Sequence, residues 1–198
     1  GDFIVVCQAY DQDGDCCGIY AQRCNSSATA QGSETLLNAT TSGQQRLPQV
    51  ACDANGNFVA TWESGGDIYF RQYNNAGTAQ TSETVVNTTT TNWQSYPDIA
   101  MDNNGDLVIA WQSLDQDGDA YGIYGQRYTS SAAANGSEFA INTTTANSQL
   151  QPAIAMDDKS NFVIAWTSNL QDGSQEGVYL QAYTANGTTN GSEFLINT

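Results

Sequence analysis

Short runs of β-branched and aromatic residues alternate along the whole chain with clusters of Gly, Asn, Asp and Pro. Such runs are typical of β-strands, and such clusters are typical of turns. One run recurs as Phe58–Trp62, Leu107–Trp111 and Phe162–Trp166, and Cys7 takes the place of the Trp in an earlier copy. The spacings between these four equivalent positions are 55, 49 and 55 residues. The pattern therefore predicts an all-β protein that contains four repeats.

Each repeat contains four predicted strands, which we call A to D. Strand A begins with Pro, strand B ends at the recurrent Trp, strand C is an Ile-Tyr run, and strand D follows a Ser-Glu pair. Four short strands joined by tight turns form an antiparallel meander, which is the sequence signature of a propeller blade. We predict a β-propeller-like fold, with a β-solenoid as the alternative. The single repeat domain, 1–198, would divide into units of about 1–47, 48–96, 97–151 and 152–198.

The first unit begins at strand B and so lacks its own strand A. An inner strand without a partner exposes a row of backbone hydrogen-bonding groups, which can pair with another chain. We therefore expect either self-association, into an oligomer or a filament, or a longer parent chain.

The length of the connection between strands B and C varies from unit to unit. It covers 12 residues from Cys7 to Ile19 and only 6 from Trp62 to Ile68. In a meander the B–C and D–A loops emerge on the same face, and loops that tolerate length changes often carry binding groups. This loop face is therefore the predicted functional face.

Two of the B–C loops share an Asp-x-Asp-Gly-Asp pattern that places three carboxylates within five residues. Carboxylate oxygens are the ligands that Ca²⁺ prefers, so these loops are candidate calcium sites. The alternative is a solvated polar hairpin, because Asp and Gly are good turn formers. The candidate ligands are Asp11, Asp13, Asp15, Asp115, Asp117 and Asp119.

Two aromatic residues, Trp93 and Tyr96, lie in a D–A loop where the other units carry smaller or aliphatic residues. They could form a stacking platform for a sugar, or they could pack between units. The recurrent Trp62, Trp111 and Trp166 are predicted to be core residues. A Glu recurs at the start of each strand D, and its simplest interpretation is a solubilising charge on an outer edge; the four are Glu34, Glu83, Glu138 and Glu193.

The chain has five cysteines, and four of them lie in the first unit. In a secreted protein this composition suggests disulfides that staple the unit that lacks a strand. Cys7 with Cys52 is one candidate pair, and Cys16 or Cys17 with Cys24 is another, while the odd number leaves one thiol over. The sequence leaves the connectivity open.

Charge and composition narrow the class of function. The net charge is −16, with 21 acidic and 5 basic residues, which argues against binding to nucleic acid or anionic membranes. No apolar run is long enough for membrane insertion. The chain contains no histidine, which excludes the usual hydrolase triads and zinc sites. We therefore expect no enzyme activity. Glycoside hydrolysis by a pair of carboxylates is the one catalytic chemistry that this argument leaves open. Abundant Thr, Ser, Asn and Gly with little Lys favour an extracellular or cell-surface location.

The recurring segments around Asn161–Trp166, Gly122–Arg127 and Ser137–Asn142 resemble the repeats of large secreted bacterial proteins, particularly cyanobacterial and marine ones. In that family such units accompany calcium-dependent adhesin-type modules. The resemblance implies an extracellular surface or matrix setting and carries no catalytic residues. The Cys-rich first unit departs from the pattern.

Together these observations predict a non-catalytic extracellular structural or adhesive protein that self-assembles and is stabilised by calcium. The alternative is a glycan-binding, lectin-like propeller that uses the B–C and D–A loop face.

Overall fold

A computed structural model describes residues 1–173 and 175–197 and contains fifteen strands in four antiparallel sheets. The first sheet holds β1 Phe3–Tyr10, β2 Cys17–Cys24 and β3 Thr35–Leu36, and the second holds β4 Gln45–Cys52, β5 Phe58–Ser64, β6 Asp67–Tyr73 and β7 Thr84–Val85. The third sheet holds β8 Gln94–Met101, β9 Leu107–Leu114, β10 Tyr121–Tyr128 and β11 Phe139–Ala140. The fourth holds β12 Gln149–Met156, β13 Phe162–Asn169, β14 Glu176–Tyr183 and β15 Phe194–Leu195.

Each sheet corresponds to one predicted repeat, and its strands follow one another in chain order. The all-β, propeller-like prediction is therefore confirmed, including a first sheet of three strands that lacks strand A. The prediction that strand A begins at Pro is wrong, because β4, β8 and β12 begin at Gln45, Gln94 and Gln149, before the predicted unit boundaries.

The first strand of each sheet lies on the inner side of the array. These strands contact one another in chain order, β1 with β4, β4 with β8 and β8 with β12. Among the described residues, no helix is long and apolar enough to cross a membrane.

Neighbouring units pack face to face through two different surfaces. The face that a unit turns toward the next unit is aliphatic, and we call it the trailing face; in unit 3 it contains Val108, Ile123 and Ile141. The face turned toward the preceding unit is largely aromatic, and we call it the leading face; in unit 4 it contains Phe162, Ile164, Trp166, Tyr179 and Tyr183. The junctions between units 1 and 2 and between units 2 and 3 use the equivalent residues. The core of this protein therefore lies between sheets.

The recurrent tryptophans are the largest side chains in these junctions. Trp62 and Trp111 are fully buried, and Trp166 is 1% exposed, so the prediction that they are core residues is confirmed.

A buried asparagine fixes the short outer strand of each unit. In unit 3, Asn142 Oδ1 accepts a hydrogen bond of 2.6 Å from Ile123 N, and its Nδ2 group donates to Thr144 O and to Gln149 Oε1. Asn38 and Asn87 make the same bonds in units 1 and 2. Strand D has only two ladder residues, so this amide supplies the hydrogen bonds that a longer strand would make.

The glutamates of strand D join neighbouring units. Glu138 Oε2 accepts hydrogen bonds from the Thr88 backbone N–H and hydroxyl of the preceding unit, at 2.6 and 2.9 Å. Glu193 bonds Thr143 in the same way, and Glu83 accepts from the backbone N–H groups of Ala39 and Thr40. The interpretation of these residues as solubilising charges is therefore wrong for these three, because each carboxylate satisfies backbone donors at a junction.

We predict that replacing Trp111 by Ala lowers the free energy of unfolding by about 3–5 kcal/mol, because it leaves a large cavity in a close-packed junction. Trp93→Ala is the matched control: Trp93 is 49% exposed, and its loss should cost under about 1 kcal/mol. Urea unfolding followed by far-UV circular dichroism measures both. Equal losses in the two variants would contradict the assignment of the core to the junctions.

Candidate functional site

A cavity of 380 Å³ lies on the inner side of the array, and we call it the axial pocket. Three units line the pocket. Unit 1 contributes strand β1, unit 2 contributes the start of β4 and the end of β5, and unit 3 contributes the starts of β8 and β10 and the end of β9. The lining residues are Gln8, Arg46, Leu47, Glu63, Trp93, Ser95, Tyr96, Gln112 and Tyr121.

A β-bulge in strand A shapes the wall of the pocket. The pairing of β8 with β9 shifts between Ser95 and Asp98, and the shift lies at equivalent positions in β4 and β12. The residue before each Pro has a positive φ: Leu47 at 53°, Tyr96 at 52° and Gln151 at 52°. Bulges redirect side chains, and backbone in sparsely populated regions is often found at functional sites. The fold therefore presents Tyr96 to the pocket at a cost in local conformational energy.

An ion pair forms one wall of the axial pocket. Arg46 donates to Glu63 Oε1 from Nε at 3.0 Å and from Nη2 at 2.6 Å. Glu63 is only 1% exposed, whereas the Arg46 side chain is 39% exposed. Glu63 Oε2 is buried, and among the described residues it has no hydrogen-bond partner. Burial raises the pKa of Glu63, and the Arg46 guanidinium opposes part of that shift.

Trp93 lies beside this ion pair. The Arg46 guanidinium carbon is 5.4 Å from the centre of the Trp93 ring, a cation–π contact. Trp93 also packs close to Gly66, in the turn that makes the B–C connection of unit 2 the shortest of the four. Tyr96 is 43% exposed, so both aromatic residues predicted for ligand binding line the pocket and keep open surface. Trp93 also packs against Arg46 and Gly66, so its surface is divided between protein contact and the pocket, and ligand binding by the two aromatic residues stays a prediction.

Several side chains that line the pocket differ from the residues at the equivalent positions of the other units. Glu63 stands where the other units have Gln8, Gln112 and Thr167. Arg46 stands where units 3 and 4 have Ser95 and Leu150. Sequence reasoning identified Trp93 and Tyr96 by such departures and missed Arg46 and Glu63. The same comparison of aligned repeats could have found them.

The acidic loops use their carboxylates within the protein. Asp15 accepts hydrogen bonds from the backbone N–H groups of Gly43 and Cys16, which lower the pKa of its carboxyl. Asp119 accepts from Asn147 N, and Asp117 accepts from Asn142 Nδ2. The described residues include no cluster of three or more acidic, Cys or His side chains arranged to hold a metal ion. Calcium binding by these loops stays a prediction.

The structure does not bring the candidate disulfide partners together. Cys17 and Cys24 are at opposite ends of β2, roughly 23 Å apart at 3.3 Å per residue, far beyond the reach of a disulfide. Cys7 shares a face of β1 with Phe3 and Val5, which are exposed, while Ile4 and Val6 face unit 2, where Cys52 lies. Cys16 and Cys17 are neighbours, with their sulfur atoms 3.6 Å apart. All five cysteines are free thiols in the structure.

No protein-family profile matches the sequence, and no curated protein sequence is detectably similar to it. Solved structures do share the fold. A protein of unknown function from Dyadobacter fermentans matches 91% of this chain, with a TM-score of 0.65 and 14% identity. An endo-arabinase from Bacteroides thetaiotaomicron matches 98%, with a TM-score of 0.55 and 12% identity, and a thermostable family-43 glycoside hydrolase matches 96%, at 0.53 and 11%. The chain spans 50%, 77% and 72% of these three proteins.

The comparisons overturn the expectation that this protein is not an enzyme. That expectation was drawn from the absence of histidine, yet glycoside hydrolases share the fold. Glycoside hydrolysis is carried out by carboxylic acids, so a chain without histidine keeps the groups that this chemistry needs. The argument from missing histidine is therefore wrong.

If the acidic loops bind calcium, removing it should lower the melting temperature, because a ligand that binds only the folded state stabilises it by mass action. The measurement is a thermal melt in excess EDTA and in millimolar CaCl₂, with MgCl₂ at equal ionic strength as the control for charge screening. Asp13→Asn combined with Asp117→Asn, one substitution in each loop, should abolish most of the calcium-specific difference. Melting temperatures that agree in EDTA and CaCl₂ would contradict the calcium prediction.

Proposed function

We propose that this protein binds a neutral carbohydrate in the axial pocket and that it does so outside the cell. The observation that carries the proposal is the convergence of Arg46, Glu63, Trp93 and Tyr96, which depart from the repeat, on one open cavity. The fold supports it only in general terms, because the fold is shared with proteins whose names describe glycoside hydrolases.

The chemistry of the pocket suits a sugar. Half-exposed aromatic rings offer flat apolar surface to the C–H face of a pyranose or furanose ring. Around them, Gln8, Gln112 and Ser95 supply neutral donors and acceptors for hydroxyl groups. Glu63 borders the pocket, with Oε1 held by Arg46 and Oε2 buried. Ligand pockets typically combine aromatic side chains with a small number of polar groups that fix the orientation of the ligand.

The charge of the chain favours a neutral ligand. The protein carries −16 in total, so a polyanionic glycan would be repelled on approach. Inside the pocket, Arg46 is already paired with Glu63, which leaves little net positive charge for a uronate. The short B–C turn of unit 2 also lacks the acidic loop that units 1 and 3 carry.

We predict that Trp93→Ala weakens binding of a neutral oligosaccharide at least about tenfold, equivalent to about 1.4 kcal/mol, because it removes the stacking surface. Titration calorimetry with arabino-, xylo- and cello-oligosaccharides measures the affinity. Phe194→Ala is the control, since Phe194 is an exposed aromatic residue on an outer strand, away from the pocket. No heat with any neutral oligosaccharide, or equal losses in both variants, would contradict carbohydrate binding at this site.

Hydrolysis of the bound sugar is a second candidate function, in which Glu63 would supply the proton. A buried carboxyl on a pocket wall with a raised pKa is suited to donate a proton to a leaving oxygen. The reaction also needs a second carboxylate, which activates the attacking water or attacks the anomeric carbon; Glu63 is the only carboxyl among the described residues of the pocket lining, so this second group would have to come from outside it.

If Glu63 is the proton donor, Glu63→Gln should reduce the release of reducing ends from a polysaccharide at least about 100-fold. Binding of the oligosaccharide should fall much less, because Gln keeps the shape and one acceptor. A reducing-sugar assay beside calorimetry separates the two effects. Hydrolysis that is absent in the natural protein would leave binding as the function of the pocket, and hydrolysis that is unchanged in Glu63→Gln would exclude Glu63 as the proton donor.

A further inference from the structure

Two adjacent cysteines, Cys16 and Cys17, lie where the B–C loop of unit 1 leads into strand β2. Their sulfur atoms are 3.6 Å apart, and both are free thiols. The equivalent positions of unit 3 are Ala120 and Tyr121, so the chain departs from the repeat twice in succession. Cys17 is buried but lies outside the hydrophobic cluster between units 1 and 2. Packing of that cluster therefore does not account for the pair.

The two thiols differ in their access to solvent. Cys16 is half-buried, whereas Cys17 is 1% exposed. A reagent in solution therefore meets Cys16 first, while Cys17 stays shielded and lies within 3.6 Å of its neighbour. This arrangement suits an attacking thiol followed by a resolving thiol.

Contacts from two loops hold the pair in place. Asp15 Oδ1 accepts a hydrogen bond from Cys16 N at 2.7 Å, and Asp15 Oδ2 accepts one from Gly43 N at 2.9 Å. Cys16 Sγ accepts a hydrogen bond from Gln44 Nε2 at 3.5 Å, and the backbone of Cys17 pairs with that of Gln44. The pair is therefore fixed between the B–C loop of unit 1 and the connection that leads into β4.

The other cysteines lie too far away to compete. Cys7 pairs with Tyr20 in the β1–β2 register, which puts it three positions from Cys17 and four from Cys24. These offsets amount to roughly 10 and 13 Å along the strands, whereas a disulfide needs Cα atoms within about 7 Å. Cys52 ends β4, at the end remote from the Cys17 pairing with Gln44.

We propose that Cys16 and Cys17 are a redox couple that closes to a vicinal disulfide in the presence of a small disulfide, RSSR, such as oxidised glutathione. The Cys16 thiolate attacks one sulfur of RSSR, forms a mixed disulfide and releases one RS⁻. The Cys17 thiolate then attacks Cys16 Sγ and releases the second RS⁻. The two cysteines lose two protons and two electrons, and RSSR is reduced to two RSH. The proposal does not depend on carbohydrate binding.

The adjacency of the two residues makes this disulfide easy to reduce. Neighbouring Cα atoms are about 3.8 Å apart, shorter than the separation of about 4.4–6.8 Å that is usual across a disulfide. A bond closed over this separation stores strain, and strained disulfides are the labile ones. The couple should therefore switch reversibly between thiol and disulfide.

The first experiment follows the natural chain in mixtures of reduced and oxidised glutathione. The samples are quenched with acid, free thiols are blocked with N-ethylmaleimide, and peptides are mapped by mass spectrometry. The hydrogen bond with Cys17 raises the pKa of the Cys16 thiol, so the exchange is run at about pH 8.5. Cys16 and Cys17 should lose their alkylation together in oxidised glutathione and regain it in excess reduced glutathione.

Two variants separate the roles of the thiols. Cys17→Ser removes the resolving thiol, so glutathione bound to Cys16 should be at least about tenfold more abundant than in the natural chain. Cys16→Ala, which has the unit 3 residue, should leave Cys17 reduced, because Cys17 is shielded from the reagent. Cys24→Ser is the matched control: Cys24 is also half-buried, and its loss should leave the reaction of the pair unchanged.

Three results would overturn the proposal. The first is that Cys16 and Cys17 stay reduced in oxidised glutathione. The second is a lasting mixed disulfide on Cys16 in the natural chain, which would show that Cys17 does not resolve it. The third is modification of Cys17 in Cys16→Ala as fast as that of Cys16 in Cys17→Ser. Far-UV circular dichroism checks the fold of each variant, and Cys17→Tyr, with the unit 3 residue, replaces Cys17→Ser if that variant does not fold.

Discussion

The side-chain amide that links strands C and D of one unit to strand A of the next is the interaction on which the rest of the structure depends. Strand D has two ladder residues, too few to hold its place, and the buried Asn binds it to the backbone of strand C and to a buried Gln at the start of the next unit's strand A. This explains why 19 residues separate the C-strand Ile or Val from the Asn in all four units. Asn38, Asn87 and Asn142 also lie in Asn-x-Ser/Thr motifs, and their burial makes them poor glycan acceptors.

Because these bonds recur at each of the three junctions, other positions at the strand ends are free to change. The bulge of strand A and the last residues of strand B carry no part of the Asn network, and they are where Arg46, Glu63 and Tyr96 occur. The chain places a desolvated carboxylate there, which costs free energy unless it is paired, and Arg46 pairs one of its oxygens. A repeat scaffold can hold such a group because its stability comes from the junctions between sheets.

Much of the fold was predictable from the sequence, because strand pattern and repeat spacing are local properties. The strands, their order and the core role of Trp62, Trp111 and Trp166 follow from periodicity. The role of Glu138 was not predictable, since its partner Thr88 lies 50 residues away in another unit and no local pattern connects them. Trp93 and Tyr96 stood out because aromatic residues are conspicuous in a polar loop. Arg46 and Glu63 also depart from the aligned repeats, but the sequence does not show that they pair, because their pairing depends on β4 and β5 lying side by side.

The absence of histidine misled for a physical reason. It excludes chemistry that needs a base with a pKa near neutrality, but burial can move a carboxyl toward the same range, and the sequence alone does not show burial. Glu63 shifts in this direction: it occupies a strand position where its equivalents are neutral, and burial raises its pKa while Arg46 opposes part of that shift. In an acidic chain the informative carboxylates are therefore the few that the fold desolvates, while those in loops such as Asp11–Asp15 mostly stay in contact with solvent and backbone donors.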